Sequence, residues 1–184
     1  MKCDGFIHYH AVNGCHPMNS LQFVPVTHEE GFKKVSLLAQ QIWREHYPPI
    51  VGSPQVEYML AHMQSAAAIG RQVRAEGFRY FTVSEMNGGP IGYIAVVDKP
   101  DSLYLSKFYL KKEHRGKGLT GAMMDFVEEQ AREKGYDRIA LVTHKRNFMA
   151  HKAYGKLGFA VEAPVVTDIG GGFVMDDFRF VKRL

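Results

Sequence analysis

The chain has 184 residues, enough for one domain with a full-sized core. Hydrophobic residues make up 46% and charged residues 23%, and the net charge of +4 comes from 23 Lys and Arg scattered among 19 Asp and Glu. No long basic run appears and no apolar run nears the ~20 residues that cross a bilayer, so neither a nucleic-acid partner nor a membrane span is expected. The cysteines, Cys3 and Cys15, both fall in the first segment and cannot staple the body of the fold. That usage, and His8 and His10 where a secretory signal needs an apolar core, place the expected location in the cytoplasm.

Residues 1–20 lack periodicity and read as an N-terminal arm, with 21–184 as one domain. Cys3, His8, His10, Cys15 and His16 crowd the arm. Their spacing matches no C-x₂-C or H-x₃-H pair, so no metal site is expected. Residues 21–26 alternate apolar and polar and carry Pro25, which suits an edge strand. Thr27 with Glu30 forms a capping-box pattern ahead of a helix whose apolar face is Phe32, Val35, Leu38, Ala39 and Ile42. Pro48-Pro49 ends that helix near Tyr47. Ser53-Pro54 opens another, striped by Val56, Met59, Leu60 and Met63. Residues 66–75 continue helical or restart after Ser65, and Gly77 closes the run.

Three strands follow: 80–86, 91–97 and 103–110. Asn87-Gly88-Gly89 and residues 99–102 are the turns between them. A helix begins at Leu119, with Leu119, Met123, Phe126 and Val127 on its apolar side, and ends at Gly135. Residues 138–143 form a buried-type strand, expected parallel to the strand before the helix. A short helix over 147–157 and two closing strands, 159–166 and 173–181, complete the chain. The expected fold class is α/β: a mixed central sheet with helices on both faces.

The stretch from Tyr104 to the helix at Leu119 is the chemical centre. A strand runs into Arg115-Gly116-Lys117-Gly118 and then into a helix. The free N–H groups and dipole of that helix start attract an anion, and glycine lets a diphosphate approach the backbone. A nucleoside-triphosphate reading fails, because Gly-x₄-Gly-Lys-Ser/Thr is absent.

Two motifs, in order, resemble the GCN5-related N-acetyltransferase superfamily over residues 21–184. The first is Arg115-Gly116-Lys117-Gly118-Leu119-Thr120 after a strand. The second is Asn147, Ala150, Ala153 and Tyr154 ahead of Leu157-Gly158-Phe159. Thr120 departs from the pattern, where glycine or alanine is usual. The resemblance implies an acyl-CoA fold with acetyl-CoA as co-substrate and a small-molecule or peptide amine as acceptor. Family habit adds a homodimer. It further implies that backbone groups of Phe108, Tyr109 and Leu110 hold the acyl carbonyl. Arg115, Gly116, Lys117, Gly118, Leu119 and Thr120 would hold the diphosphate. Asn147 would lie beside the pantetheine arm, and Tyr154 would protonate the leaving thiolate.

The reaction so implied needs a neutral amine, an oxyanion donor and an acid. Tyr154 lies on an apolar stripe, so packing is its alternative role. Arg115 could equally be a solvated turn residue, and Asn147 a mere cap. Glu85 is the candidate base, or else a hairpin-end residue. Asp176 and Asp177 face the acceptor side or form a solvated pair. Trp43, His46, Tyr47, Glu57 and Tyr58 cluster around the expected acceptor pocket, with His46 and Glu57 as substrate contacts. The alternative function is a CoA-binding sensor without turnover.

Overall fold

The computed structural model describes residues 7–8, 21–86 and 88–184. Of the arm, only Ile7 and His8 fall within them; Cys3, His10, Cys15 and His16 lie outside the described residues, as does Asn87 of the expected turn. In chain order the elements begin with β1 (Ile7–His8) and β2 (Leu21–Pro25). Helices α1 (Glu29–His46), α2 (Pro48–Val51), α3 (Ser53–Met63) and α4 (Ala66–Ala75) follow. Next come β3 (Arg79–Glu85), β4 (Pro90–Lys99), β5 (Ser102–Leu110) and α5 (Leu119–Glu133). The chain closes with β6 (Arg138–His144), α6 (Phe148–Lys156), β7 (Ala160–Gly170) and β8 (Phe173–Arg183).

The strands form one sheet in the order β1-β2-β3-β4-β5-β6-β8-β7. Every neighbouring pair is antiparallel except β5 and β6, which run parallel as their connecting helix requires. The expected mixed sheet with helices on both faces is therefore the fold. Strand β2 is not an edge, because β1 pairs outside it through Ile7↔Phe23 and His8↔Gln22.

Three helix starts differ from the sequence expectation. The N-cap of α1 is His28, without a side-chain cap bond. That puts Glu30 at the second helical position, one short of the position a capping box needs, and it pairs with Lys34 at 2.8 Å instead. Pro48-Pro49 ends α1 but also seeds α2, since proline suits a first helical turn. Gly52, rather than Ser53, caps α3. Ser65 caps α4 as a separate helix, its Oγ accepting from the Ala68 N–H at 3.3 Å.

The sheet divides the interior into two cores. On one face α5 packs Met123, Phe126 and Val127 against Phe23, Val83, Ile94 and Leu105. On the other, α1, α3 and α4 pack Phe32, Ile42, Trp43 and Ile69 against Tyr80, Tyr93 and Ala95. Tyr80 and Tyr93 are buried there because Gln64 and Gln72 satisfy their hydroxyls. The β7–β8 hairpin is tied to α3: Tyr58 donates to Ile169 O at 2.9 Å and Gln55 Nε2 to Val174 O at 3.0 Å. Among the described residues, no helix is long and apolar enough to cross a membrane.

Phe126 is the keystone of the α5 core. Its ring stacks on Phe23 at 4.1 Å and meets Phe81 edge-on at 4.9 Å, both rings lying on the β2–β3 side of the sheet. Phe126→Ala is expected to cost roughly 3–5 kcal/mol, read as a lower urea midpoint at unchanged slope. A loss under ~1 kcal/mol would show that the neighbouring side chains collapse into the space.

Candidate active site

Strand β4 lines one edge of β5 from Ser102 to Leu110, but β6 meets the other edge only at Leu103↔Ile139 and Tyr104↔Ala140. Beyond those two pairs the strands part. The opening holds a cavity of about 610 Å³, walled by Leu105 and Phe108 of β5 and by Val142 and Thr143 of β6. Met123 and Tyr154 close it on the α5–α6 side, and His46 and Tyr47 on the α1 side.

The free edge of β5 follows from strand geometry. Lys111 N–H bonds to Ile91 O at 2.8 Å, across towards β4. Backbone direction alternates along a strand, so Phe108 and Leu110 turn their N–H and C=O groups to the open edge. Tyr109 does not. Its backbone faces β4, and its side chain lies on the α1 side, with its hydroxyl 2.9 Å from that of Tyr47. Of the three residues expected to offer backbone groups, two therefore do so.

The glycine-bearing loop lies at the mouth of the cavity, which Arg115, Gly116 and Thr120 also line. Arg115 donates Nε to Leu110 O at 2.9 Å and pins the loop to the end of β5. Gly116 and Gly118 adopt φ of 74° and 79°, and no atom comes within 4 Å of where a Cβ would stand. The positive φ requires glycine and the empty space before it admits a ligand. Arg115 N–H bonds back to Lys112 and Gly121 N–H to Gly118. Among the described residues, no backbone acceptor takes the N–H groups of residues 116–120. That row of donors at the start of α5 suits a diphosphate. Leu119 contributes backbone alone, since its side chain is buried in the core, and Lys117 is exposed.

Asn147 is buried and caps α6, its Oδ1 accepting from the Ala150 N–H at 3.3 Å. Burial, and then the nearby Arg115 charge, hold the His46 imidazole below its ordinary pKa, against the opposing pull of Asn147, so it is neutral at pH 7. Tyr154 is half-buried against Phe108, Phe159 and Phe180. Burial, followed by the neighbouring Tyr47 and Tyr104, pushes its phenol up. It keeps its proton throughout the neutral range.

The carboxylates expected at the site stand elsewhere. Glu57 is exposed and gripped by Arg44 at 2.7 and 2.8 Å. Glu85 faces His114 at 3.8 Å. Neither lines the cavity, and among the described residues no aspartate or glutamate does. Two further ionisable groups lie outside the lining: Asp177, which the sequence left between the acceptor side and a solvated pair, and Lys107, which pattern reading passed over. Asp177 on β8 is 4% exposed. Lys107 on β5 lies opposite Ala95, with Ser106 Oγ 2.8 Å from its ammonium, and burial pulls it down to about 8. Strand alternation was the available signal for Asp177, because the apolar Met175 two residues earlier marks an inward face.

The sequence pattern of the Acetyltransferase (GNAT) family matches residues 38–159, more than half of the chain. The chain belongs to that family. Among curated proteins it is similar to N-acetyltransferase family 8 member 2 of Rattus norvegicus, 33% identical over 85 residues, covering 43% of this chain and 38% of the rat protein. It is also similar to the uncharacterised N-acetyltransferase YobR of Bacillus subtilis, 34% identical over 70 residues, covering 38% of this chain and 28% of that protein. The chain thus matches well under half the length of these relatives. Among solved structures, the PaiA N-acetyltransferase of Thermoplasma acidophilum in complex with coenzyme A superposes with a TM-score of 0.73. That match has 21% identity and covers 90% of this chain and 99% of the other. A GCN5-related N-acetyltransferase from Rhodopseudomonas palustris gives 0.73 at 14% identity, over 94% and 99% of the two chains. These likenesses establish the fold.

Lys107 yields a pH-dependent prediction. Its folded pKa is depressed, so the neutral form is favoured by folding and charging it costs stability as pH falls through about 8. Lys107→Met is expected to raise the melting temperature at pH 7, with the gain shrinking towards pH 10.5. Thermal melts across that range check it. A gain constant with pH would mean that packing, not charge, sets the difference.

Proposed function

We propose that this protein transfers an acetyl group from acetyl-CoA directly to the amine of a small molecule or peptide, in the opening between β5 and β6. The observation that carries the reading is the row of uncommitted N–H groups from 116 to 120 at the mouth of a cavity that Tyr154 lines. Family membership and the CoA-bound Thermoplasma relative support the choice of donor.

The donor's diphosphate rests on the backbone of Gly116, Lys117, Gly118, Leu119 and Thr120, with Arg115 beside it. Lys152 and Lys156, which also line the cavity, add positive charge for its phosphates. The pantetheine arm runs along the free edge of β5, pairing with Phe108 and Leu110 as an added strand would. Asn147 flanks it. The Leu110 carbonyl is already occupied by Arg115, so its N–H is the group left for the carbonyl oxygen of the thioester. That N–H is fixed before the oxyanion forms, which is what lowers the barrier. The amine nitrogen attacks the carbonyl carbon, the C–S bond breaks, and Tyr154 gives its proton to the thiolate. Its phenol is a weaker acid than a thiol, so transfer depends on alignment as charge builds on sulfur.

The acceptor approaches from the α1 side, past His46 and Tyr47. With no carboxylate lining the cavity, an acceptor carrying several ammonium groups would leave them unpaired there. A monoamine or a single peptide amine fits better than a polyamine. A cytoplasmic setting belongs to the same reading and rests on the sparse cysteines.

Thiol release from acetyl-CoA over a panel of monoamines, polyamines and peptides tests the proposal. Release is expected with at least one monoamine or peptide amine. Tyr154→Phe is expected to lower kcat about 10²-fold or more while leaving the acetyl-CoA Kd unchanged. Gly118→Ala places a Cβ at positive φ in front of the donors, and is expected to weaken CoA binding tenfold or more by calorimetry, roughly 1.4 kcal/mol. CoA binding without release from any amine would identify a sensor instead.

A further inference from the structure

The proposed reaction lacks a group to take the proton of the acceptor ammonium. Glu57 is paired with Arg44, and Glu85, 3.8 Å from His114, lies outside the cavity lining. The described residues nevertheless hold, in Asp177, a buried carboxylate with one oxygen that finds no hydrogen bond. Asp177 is 4% exposed, and its Oδ1 is buried without a hydrogen bond among the described residues. An uncompensated carboxylate in such a place is costly and is rarely kept for stability.

Its position follows from β8. Asp177 lies across from His144 of β6, level with the stretch where β6 has left β5. Met175, two residues earlier, packs into the α1–α3 core, so Asp177 shares that face. Phe178 and Phe180 turn to the opposite, α5 face. The charge of Asp177 is felt by Tyr47 and by Tyr104 of β5, and Tyr47 lines the cavity. Asp177 therefore lies on the α1 side, near Tyr47 but outside the lining of the cavity, while Tyr154 lines it at the α5–α6 end.

The Lys145 charge offsets that of Asp177 only in part, because that ammonium is paired with Asp176. On β8, Asp176 is paired with Lys145 at 2.5 Å, and Arg179 with Asp101 and Glu162 at 3.0 and 2.7 Å. On β6, His144 is held below its ordinary pKa, chiefly by burial and then by Arg146. Tyr47 and Tyr104 are phenols raised first by burial.

We propose that Asp177, set behind the cavity lining on its α1 side, is the base of this site, receiving the proton of the acceptor ammonium through an intervening water. The inference rests on the acetyl-transfer reading and completes its proton balance. The ammonium loses one proton to Asp177, which passes it to solvent. The neutral amine forms the C–N bond, and the C–S bond breaks. The second nitrogen proton replaces the one Tyr154 gives to sulfur, so the products are amide, CoA thiol and one released proton. Burial, and then Asp176, raise Asp177 to about 6, so it is ionised and able to accept at pH 7 to 8.

The test is Asp177→Asn in the full chain, with kcat/KM followed by thiol release from pH 5 to 9. The wild type is expected to lose activity below a midpoint near 6. The variant is expected to lose that limb and to fall about 10²-fold at pH 7.5, with acetyl-CoA affinity unchanged. Folding is checked independently. Since the folded state binds this proton more tightly than the unfolded chain, ionisation costs stability as pH rises through about 6. Asp177→Asn should therefore melt higher than wild type at pH 8. His46→Gln is the comparison and should retain the limb. Retention of the limb and of most activity in Asp177→Asn overturns the assignment while leaving acetyl transfer intact. Loss of the limb in His46→Gln alone moves the role to the imidazole. No thiol release by the wild type from any amine overturns both readings.

Discussion

Two rungs of parallel pairing, Leu103↔Ile139 and Tyr104↔Ala140, hold β5 to β6, and the site depends on the pairing stopping there. A continuous ladder would consume the outward backbone groups of Phe108 and Leu110 and fill the cavity with neighbouring side chains. The separation instead leaves a strand edge in the middle of a sheet, an exposed set of donors and acceptors that ordinary sheets avoid in their interior. Around it the chain supplies support from both sides. Arg115 fastens the loop to the end of β5, Asn147 caps the start of α6, and Tyr47 meets Tyr109 on the α1 side. The flaw in the sheet is thus stabilised on all sides.

The order of elements was legible because helices and strands here carry clean periodicities: Phe32, Val35 and Ala39 on α1, or the nearly continuous apolar run of β4. The parallel pairing of β5 and β6 was legible too, since a strand–helix–strand unit permits little else. The glycine loop and the Asn147 helix could be placed from spacing alone. What escaped was decided by single rungs or by distant partners. Whether Tyr109 or its neighbours face the opening depends on the Lys111–Ile91 bond, which no local pattern reveals. Glu57 looks available until Arg44, 13 positions away in the chain, closes on it.

Asp176 and Asp177 illustrate the same limit at adjacent positions. As letters they are a pair of acids on a strand. In the sheet, alternation gives them opposite fates: Asp176 pairs with Lys145, and Asp177 is sealed against the α1–α3 side with one oxygen unmet. The sequence supports both descriptions until the register of β8 against β6 assigns a face to each.

The clasp between α3 and the β7–β8 hairpin joins segments more than a hundred residues apart. Tyr58 bonds Ile169 O, and a Cβ at Gly170 or Gly171 would stand 2.5 to 2.6 Å from its ring or hydroxyl. These two parts of the chain therefore cannot drift independently. A relative that enlarges the tyrosine's neighbours must shrink or move the tyrosine, and the reverse. Size changes at these two places should then come as matched exchanges, leaving β5, β6 and the glycine loop untouched.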